Sequence, residues 1–428
     1  MYEEKLAAIR GKLEAAGLLP LERQAQRSME IMRERLDTVL PWAMAESGID
    51  LWLVMGKENG EPPIFKTMLT WDMPHARRNT ILAFSYDRST GKARAMSIGM
   101  QSPEMAKLYE NAMKPGETPW QCVARLVEEL QPERIGVERS DLYGFCDGLT
   151  ETFSNSLRVA LGEAGWQRVC SAEDLSVRWL QRVTDTELQV LEVLTEVTQD
   201  IIDLTFHPDN LQMGVTTTSD LEWIMRNTIN RLGFDFWFGP DIDLQRRGGT
   251  SSRMFEEVIQ PGDLLHCDIG IVGRFIQLHT DIQRLAYVLR PGETQVPASL
   301  AALLKKGNQL QDIVAANFKL GASGNDVFAA SIAQAKDAGL KPMVYTHPVG
   351  TFGHGAGPMV GRYDQQGPIA GTGERPIENG TCYALELNIH DDLDIWDNQE
   401  IFIYLEEDIY FRDAVRFVHG RQTEIIPM

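Results

Sequence analysis

The segments GDLLHCDIG (262–270) and LHTDIQRLAYVL (278–289) follow one another closely and contain two apolar runs typical of neighbouring strands. Each run carries an aspartate in an apolar context, Asp268 in the first and Asp281 in the second. A hairpin formed by the two strands would bring these carboxylates together. The sequence therefore predicts a pair of carboxylates within a sheet.

A second pair of apolar runs, farther along the chain, repeats this arrangement. NGTCYALELNIH (379–390) and EIFIYLEEDIYF (400–411) are predicted strands joined by a polar connection that contains Asp-Asn. In such a hairpin Glu386 and Glu406 would face each other. The second hairpin therefore predicts two more carboxylates at one place.

A histidine lies between the two hairpins, in THPVGTFGHGAGP (346–358). Glycines on both sides of His354 let the backbone approach closely and leave the imidazole free to reach inward. We therefore predict that four carboxylates and one imidazole converge on a single site. Those side chains are Asp268, Asp281, His354, Glu386 and Glu406.

Such a cluster of carboxylates requires a strong positive charge, because like charges a few ångströms apart drive one another to protonate. Two divalent cations would supply that charge. The ligand set is rich in oxygen, has one nitrogen and lacks a thiolate, which favours Mn²⁺, with Fe²⁺, Co²⁺ or Zn²⁺ as alternatives. Two ions about 3.5–4 Å apart activate a water and polarise a carbonyl oxygen, which is chemistry for cleaving an amide bond.

The order and local context of these residues resemble the superfamily of methionine aminopeptidase, Xaa-Pro aminopeptidase, prolidase and creatinase. Its metallopeptidase members carry D-x-G, then D-x-x-R, then a glycine-flanked histidine, then two glutamates. Here these motifs are Asp268 to Gly270, Asp281 to Arg284, Gly353-His354-Gly355, Leu385-Glu386 and Leu405-Glu406. Residues 21 to 185 are also similar to the creatinase-type N-terminal domain, so the resemblance covers nearly the whole chain.

The resemblance implies a role for each ligand. Asp268 would chelate one metal ion, and His354 and Glu386 would hold the other. Asp281 and Glu406 would bridge both ions. Glu386 is also the expected catalytic proton shuttle, and the resemblance further implies a homodimer.

The helix and strand patterns alone predict an α+β fold. The resemblance makes this a pita-bread catalytic domain over residues 186–428, preceded by a smaller α/β creatinase-like domain over residues 1–185. Predicted strands of the first domain are LWLVM (51–55), TILAFSY (80–86) and RIGVE (134–138). Predicted helices cover residues 22–47, a segment that begins near 185, a segment that ends near 231 with a capping box of Ser219 and Glu222, and residues 298–316 and 325–338.

Three departures from the family pattern concern the substrate side. The aminopeptidases usually have a histidine seven residues after the metal-binding one, where this chain, counted from His354, has Gly361. They also tend to have a histidine about seventeen residues before the first aspartate, here Ser251, and an arginine two residues before the last glutamate, here Tyr404. Asp364, just beyond Gly361, is a candidate for binding a substrate amine, with a turn role as the alternative.

Strand periodicity identifies further candidates, because side chains at i and i+2 share a face. His266 and His279 each lie two residues before a predicted ligand and are candidate hydrogen-bond donors to the centre. Partly exposed strand positions are the alternative. His347, seven residues before His354, is a candidate catalytic or substrate-contacting residue. Arg284 would pair with a carboxylate and hold it in register, unless it is a surface arginine.

Composition restricts the class of protein. A chain of 428 residues that is 43% hydrophobic is long enough for two ordinary globular domains. The formal net charge of -20 disfavours binding to nucleic acid or to anionic membranes. Five scattered cysteines without C-x-x-C spacing, and an amphipathic N-terminus without a long apolar core, predict a cytoplasmic protein.

The sequence thus favours a dinuclear-metal peptidase, either an Xaa-Pro aminopeptidase or an Xaa-Pro dipeptidase. One alternative is a non-peptidase hydrolase or lyase that uses the same metal-dependent fold on a small molecule. A second alternative is a catalytically idle binding module. Such modules usually lose ligands, and none is lost here.

Overall fold

The computed structural model describes residues 1–428, which divide into two units. The N-terminal unit is Ala25–Thr186, and the C-terminal unit is Glu187–Met428 together with Met1–Gln24. The division predicted at residue 185 puts residues 1–24 in the first domain, whereas here they pack with the C-terminal unit. Lys12 of this segment forms ion pairs with Glu196 at 2.7 Å and Asp200 at 2.6 Å.

The structure contains eleven α-helices and nineteen strands. The helices are α1 Tyr2–Ala15, α2 Leu21–Glu34, α3 Leu40–Ser47, α4 Pro63–Lys66, α5 Pro119–Leu130, α6 Glu151–Trp166, α7 Glu173–Gln181, α8 Asp185–Thr205, α9 Thr218–Leu232, α10 Ala298–Asn317 and α11 Gly324–Asp337. The strands are β1 Leu51–Lys57, β2 Asn79–Asp87, β3 Lys92–Ile98, β4 Glu110–Asn111, β5 Ile135–Val137, β6 Val169–Ser171, β7 Phe234–Phe236, β8 Asp241–Gln245, β9 Leu264–Ile269, β10 Ile271–Gly273, β11 Ile282–Tyr287, β12 Pro342–Val344, β13 His347–Val349, β14 Thr381–Ala384, β15 Leu387–Leu393, β16 Gln399–Leu405, β17 Asp408–Arg412, β18 Ala414–Phe417 and β19 Ile426–Pro427. No helix combines the length and the apolar composition needed to cross a bilayer.

The N-terminal unit is built on one six-stranded sheet in the order β4-β3-β2-β1-β5-β6. The three predicted strands are confirmed as β1, β2 and β5, and β1 pairs with both of the others. Residues such as Leu51, Leu53 and Ile81 are fully or almost fully buried, and they form the core of the unit with α5 and α6. The long apolar runs in the sequence reflect strands that are covered on both faces.

The helix predicted over residues 22–47 is interrupted. A five-residue π-helical segment, Arg35–Val39, separates α2 from α3. Pro41 lies in the first turn of α3 and has no N–H to donate to the carbonyl four residues earlier. The wider π-turn accommodates this missing hydrogen bond within a continuous helical rod.

The C-terminal unit contains four small sheets: β7-β10, β8-β9-β11-β19, β12-β15-β16 and β13-β14-β17-β18. Both predicted ligand hairpins are confirmed as antiparallel strand pairs, β9 with β11 and β15 with β16. An isolated bridge between Gln283 and Glu406 links the two pairs. The predicted helices over 298–316 and 325–338 are confirmed as α10 and α11. A Cβ on Gly307 of α10 would lie 2.7 Å from Leu405 Cδ1, so this glycine permits close packing of helix on sheet.

The cap of α9 differs from the predicted Ser219–Glu222 box. Thr217, in extended conformation, caps the helix, and it forms a capping box with Asp220. Ser219 lies inside the first turn, where its backbone is already helical. Glu222 instead accepts a hydrogen bond from the backbone N–H of Ile242 at 3.1 Å and so ties α9 to β8.

Arg284 of β11 forms a buried ion pair. Its guanidinium donates to both carboxylate oxygens of Glu407 at 2.9 Å, and the two side chains are 7% and 1% exposed. Glu407 also accepts the backbone N–H of Gln422 at 2.8 Å. The side-chain amide of Gln422 in turn accepts the backbone N–H of Leu285 at 2.9 Å and donates to the carbonyl of Leu285 at 2.8 Å. This network joins β11 to the residues that immediately follow Glu406.

Replacing Arg284 with alanine should destabilise the protein by about 3–5 kcal/mol, because Glu407 would be left buried without a partner. Denaturant unfolding at pH 7 measures this loss. Arg247→Ala is the matched control, since Arg247 and Asp397 form a pair whose side chains are 50% and 73% exposed. The control should lose less than about 1 kcal/mol. Equal losses in the two variants would contradict the structural role of the buried pair.

Candidate metal centre

The two strand pairs deliver four carboxylates to one place. Asp268, near the end of β9, pairs with Gln283 on β11, and Asp281 directly precedes β11. In the other hairpin, Leu387 of β15 lies opposite Leu405 of β16. Glu386 directly precedes Leu387 and Glu406 directly follows Leu405, so the two glutamates lie at the same end of this strand pair. The strand ends therefore converge as the sequence predicts.

The imidazole of this cluster belongs to His347. Its Nε2 atom lies 3.5 Å from Asp281 Oδ2, 3.6 Å from Glu406 Oε1 and 3.8 Å from Glu386 Oε2. Its Nδ1 atom lies 3.0 Å from the carbonyl of Pro348. Because a carbonyl only accepts, Nδ1 carries the proton of this hydrogen bond and Nε2 faces the carboxylates.

The structure does not bring His354 into the carboxylate cluster, so the predicted imidazole must be corrected. His354 is exposed and makes no hydrogen bond, and its ring lies 4.7 Å from that of His347 at 83°. The reason is pairing: β13 lies against β14, which places His347 opposite Ala384, two residues before Glu386. The glycines that flank His354 permit close contacts: a Cβ would lie 2.2 Å from Trp237 at Gly353 and 2.9 Å from the carbonyl oxygen of Pro348 at Gly355.

This correction also changes the comparison with the family pattern. With His347 in the cluster, the histidine expected seven residues later is His354, so that departure disappears. Gly361 could not carry a side chain, because its φ is 74° and a Cβ would lie 2.2 Å from the carbonyl oxygen of Val344. Two neighbouring imidazoles therefore lie at this site, one against the carboxylates and one exposed.

Two overlapping groups of side chains have the geometry to hold metal ions. Asp281, His347 and Glu406 form one group, and Asp268, Glu386 and Glu406 form the other, each with ligand atoms within 4.8 Å of one another. Glu406 belongs to both groups and is placed to bridge two ions. The donors are oxygens with one imidazole nitrogen, which suits Mn²⁺ and similar divalent ions.

The protonation of the cluster shows how strongly it demands positive charge. Burial, followed by the nearby charge of Glu386, raises the pKa of Asp268 to about 8. Burial and neighbouring carboxylates raise the pKa of Asp281 and Glu406 well above the ordinary values. Burial opposes a charge on His347, but Glu406 and Glu386 outweigh it and raise the pKa of His347 to about 9.

Three buried atoms of the cluster lack any hydrogen-bond partner: Asp268 Oδ1, His347 Nε2 and Glu406 Oε1. A buried polar atom without a partner costs about 1–3 kcal/mol. All three atoms belong to the two candidate ligand groups, so cations bound there would satisfy them. The residues present therefore fit the dinuclear centre that the sequence predicts.

The other predicted site residues divide into those that lie next to the cluster or its hydrogen-bond partners and those that lie away from it. His266, Tyr404 and Arg284 belong to the first set. His266 is buried and bonds to Asp243 and Gln283, each at 2.9 Å. Tyr404, 5% exposed, has its hydroxyl 3.2 Å from Ser252 Oγ. Arg284 lies behind the cluster in its pair with Glu407.

The remaining candidates do not contact the cluster. His279 directs its backbone N–H and its Nδ1 atom to the carbonyl of Gly350, at 2.7 and 3.0 Å, because it lies in a loop before β11 where strand alternation does not hold. Asp364 is exposed and pairs with Arg362 at 2.6 Å, which is the turn role. Ser251 is exposed and bonds within its own loop, to the backbone of Arg253.

Sequence reasoning missed Trp237. Its indole N–H donates to the carbonyl of Thr280 at 3.0 Å, and its ring lies 5.1 Å from that of His354. A Cβ on Gly270 or Gly353 would lie 2.0 or 2.2 Å from this indole, so both glycines make room for it. The glycines of the motifs were the available signal, but the sequence does not show which side chain fills the space.

Comparison with known proteins agrees with this geometry. The model of metallopeptidase family M24 matches residues 188–415. Comparison with curated protein sequences gives no significant match.

Several solved structures share the fold at low sequence identity. X-Pro aminopeptidase from Thermotoga maritima MSB8 aligns with a TM-score of 0.64 and 14% identity, over 90% of this chain and all (100%) of that chain. Xaa-Pro dipeptidase from Bacillus anthracis aligns with a TM-score of 0.60 and 18% identity, over 94% of this chain and 100% of that chain. The N-terminal domain of FACT complex subunit SPT16 from Eremothecium gossypii aligns with a TM-score of 0.59 and 14% identity, over 94% of this chain and 99% of that chain.

These matches confirm the predicted pita-bread fold and superfamily. The family model covers both ligand hairpins and the histidine segment between them. The chain therefore belongs to metallopeptidase family M24.

Proposed function

We propose that this metallopeptidase is a dinuclear enzyme of the Xaa-Pro class, either an Xaa-Pro aminopeptidase or an Xaa-Pro dipeptidase. The main support for a dinuclear centre is that the two overlapping ligand groups share Glu406. The solved structures of similar fold, which include an X-Pro aminopeptidase and an Xaa-Pro dipeptidase, support this choice of substrate class.

In this proposal Asp281 and His347 would hold one ion, Asp268 and Glu386 would hold the other, and both would share Glu406. This grouping replaces the pairing of the histidine with Glu386 and the bridging Asp281 that the resemblance implied. Mn²⁺ suits the donor set best, with Fe²⁺, Co²⁺ or Zn²⁺ as alternatives. When bound, two such ions would supply an activated water and polarise the scissile carbonyl. The protein itself must then move a proton and position the substrate.

Glu386 is the residue suited to proton transfer. Its side chain is 18% exposed, the most accessible of the three carboxylates that face His347, so it is the one that water and substrate can reach. A carboxylate in this position can take a proton from water and return it to the leaving nitrogen. His354 is available to donate a hydrogen bond to substrate. Although its ring is exposed at the surface, partial desolvation by the surrounding residues and the charge of His347 lower its pKa to about 4, so it is neutral near pH 7.

A second candidate is a metal-dependent hydrolase or lyase that acts on a small non-peptide molecule. Tyr404 favours it, because this buried residue, bonded to Ser252, occupies the position where Xaa-Pro aminopeptidases usually carry an arginine. An uncharged phenol at this position cannot make an ion pair with a substrate. A peptide panel separates the two candidates.

The first test is metal content and peptidase activity on one sample. Elemental analysis of gently purified protein, followed by Mn²⁺ loading and assay against Xaa-Pro dipeptides and longer X-Pro peptides, should give about two ions per chain and cleavage before proline. Two ions without cleavage would favour the small-molecule candidate. Failure to take up metal would contradict the dinuclear centre.

His347→Ala and His354→Ala form a matched pair of variants that test the corrected assignment. His347→Ala should lose metal and turnover together, because it removes a ligand. His354→Ala should keep the metal content of the unmodified protein and lose activity by about 100-fold, the usual cost of one transition-state hydrogen-bond donor. Elemental analysis and kcat measure the two effects. The reverse pattern would restore His354 as the ligand.

The metal-free protein should lose thermal stability as pH rises. Asp268 titrates at about 8 in the folded protein against an ordinary 3.8, so its raised pKa favours folding at low pH and this contribution is lost as pH rises through about 8. The raised pKa of His347 acts in the same direction, up to about 9. Adding Mn²⁺ should raise Tm more at pH 8 than at pH 5, as measured by differential scanning calorimetry.

Glu138 provides an internal reference for this experiment. It is buried in the N-terminal unit, away from the cluster in sequence, and burial raises its pKa to about 8. Its contribution to the pH dependence should persist in the presence of Mn²⁺. A metal-free Tm that rises between pH 5 and pH 8 would contradict the electrostatic account.

A further inference from the structure

A series of hydrogen-bonded polar side chains, buried except for the partly exposed arginine at its far end, leads to the carboxylate cluster. It consists of Gln283, His266, Asp243 and Arg253, of which only His266 was a predicted candidate. We propose that Gln283 is a positioning residue that holds Glu386 in its ligand conformation, with His266, Asp243 and Arg253 holding Gln283 in turn. This inference rests on the proposed dinuclear centre and deepens it.

Of these four side chains, only Gln283 makes a direct contact with the proposed metal ligands. Its Nε2 atom lies 2.8 Å from Glu386 Oε1 and 3.5 Å from Asp268 Oδ2. Carboxylate oxygens that bind cations are acceptors, so the amide must present its N–H groups to them. The side chain is 2% exposed, which excludes water as a competing donor.

His266 determines which way the amide of Gln283 faces. With its nitrogen directed to Glu386, the amide presents Oε1 to His266 Nε2 at 2.9 Å, and the ring donates to it. The opposite amide orientation would place two acceptor oxygens against each other at Glu386. His266 is 1% exposed, and the ring of Tyr404 lies 5.0 Å from its own ring.

Asp243 and Arg253 anchor the far end. Asp243 is fully buried, and its Oδ2 atom lies 2.9 Å from His266 Nδ1 and 2.6 Å from Arg253 Nε. Arg253 also donates to Asp241 at 3.1 Å. The carboxylate of Asp243 accepts from both neighbours, so the imidazole is fixed at both nitrogens: Nδ1 donates to Asp243 and Nε2 donates to Gln283.

The consequence is that the two oxygens of Glu386 are distinguished. Oε1 accepts from Gln283, while Oε2 lies 3.8 Å from His347 Nε2 inside the cluster. Fixing one oxygen restricts rotation of the carboxylate and directs the other to the ions. A residue that both binds metal and transfers a proton requires such restraint.

The experiment compares Gln283→Met with Gln245→Met. Gln245 is a buried glutamine on β8 of the same sheet, 2% exposed, whose amide bonds the backbone of Phe402 at 2.8 Å and makes no hydrogen bond to a carboxylate of the cluster. Both variants remove a buried amide of the same size. Co²⁺ titration by calorimetry and the visible absorption spectrum of the Co²⁺ protein report on the metal centre without using activity.

Gln283→Met should weaken Co²⁺ binding by about 10- to 100-fold and change the Co²⁺ spectrum, whereas Gln245→Met should alter neither. Affinity and spectrum equal to those of the unmodified protein would overturn the positioning role and leave the dinuclear proposal standing. Absence of Co²⁺ binding by the unmodified protein would overturn both.

His266→Met tests the chain one step farther from the metal, and it carries the test if Gln283→Met does not fold. It removes the donor to Gln283 without touching a proposed ligand, so it should weaken Co²⁺ binding in the same direction. The double variant should lose no more affinity than Gln283→Met alone, because both substitutions break one chain. Additive losses, or no loss in His266→Met, would overturn the coupling between the two residues.

Discussion

The mutual repulsion of buried carboxylates is the constraint on which the centre depends. Asp268, Asp281, Glu386 and Glu406 lie at the ends of strands, where burial removes the water that would otherwise screen them. Without cations the cluster relieves this repulsion by holding protons, which is why its carboxyl pKa values are raised. With two divalent cations the same side chains can all be ionised, so folding, protonation and metal binding are linked properties of one site.

The surrounding structure holds these charges in place with further buried pairs. The ion pair between Arg284 and Glu407 fixes the residue next to Glu406. The side-chain amide of Gln422 accepts the backbone N–H of Leu285 in β11, and the backbone N–H of Gln422 donates to Glu407. The chain from Arg253 to Gln283 reaches the cluster from β8 and β9 on the other side. Each of these side chains makes at least one hydrogen bond, and Asp243 Oδ1 is the one carboxylate oxygen of the two networks that is buried without a partner.

The substrate side depends on packing between loops. Trp237 occupies the space left by Gly270 and Gly353, and His354 lies beside it, exposed and without a hydrogen bond. His347 and His354 are chemically identical residues only seven positions apart, yet β13 takes one into the cluster and leaves the other accessible. One histidine is thus suited to bind a cation and the other to meet a substrate.

Strand alternation and apolar patterning are local properties of the sequence, and they were enough to predict the two ligand hairpins, the convergence of their four carboxylates and an α+β fold. The pita-bread architecture came from the resemblance of the motifs to a known superfamily. The sequence did not determine the choice between His347 and His354, the loop position of His279 or the partners of Gln283. Those depend on which strand pairs with which, and on side chains from distant segments, such as Trp237 and Asp243, that fill the remaining space. Tertiary structure decided them because hydrogen-bond partners and close contacts are set by three-dimensional proximity, which spacing along the chain does not encode.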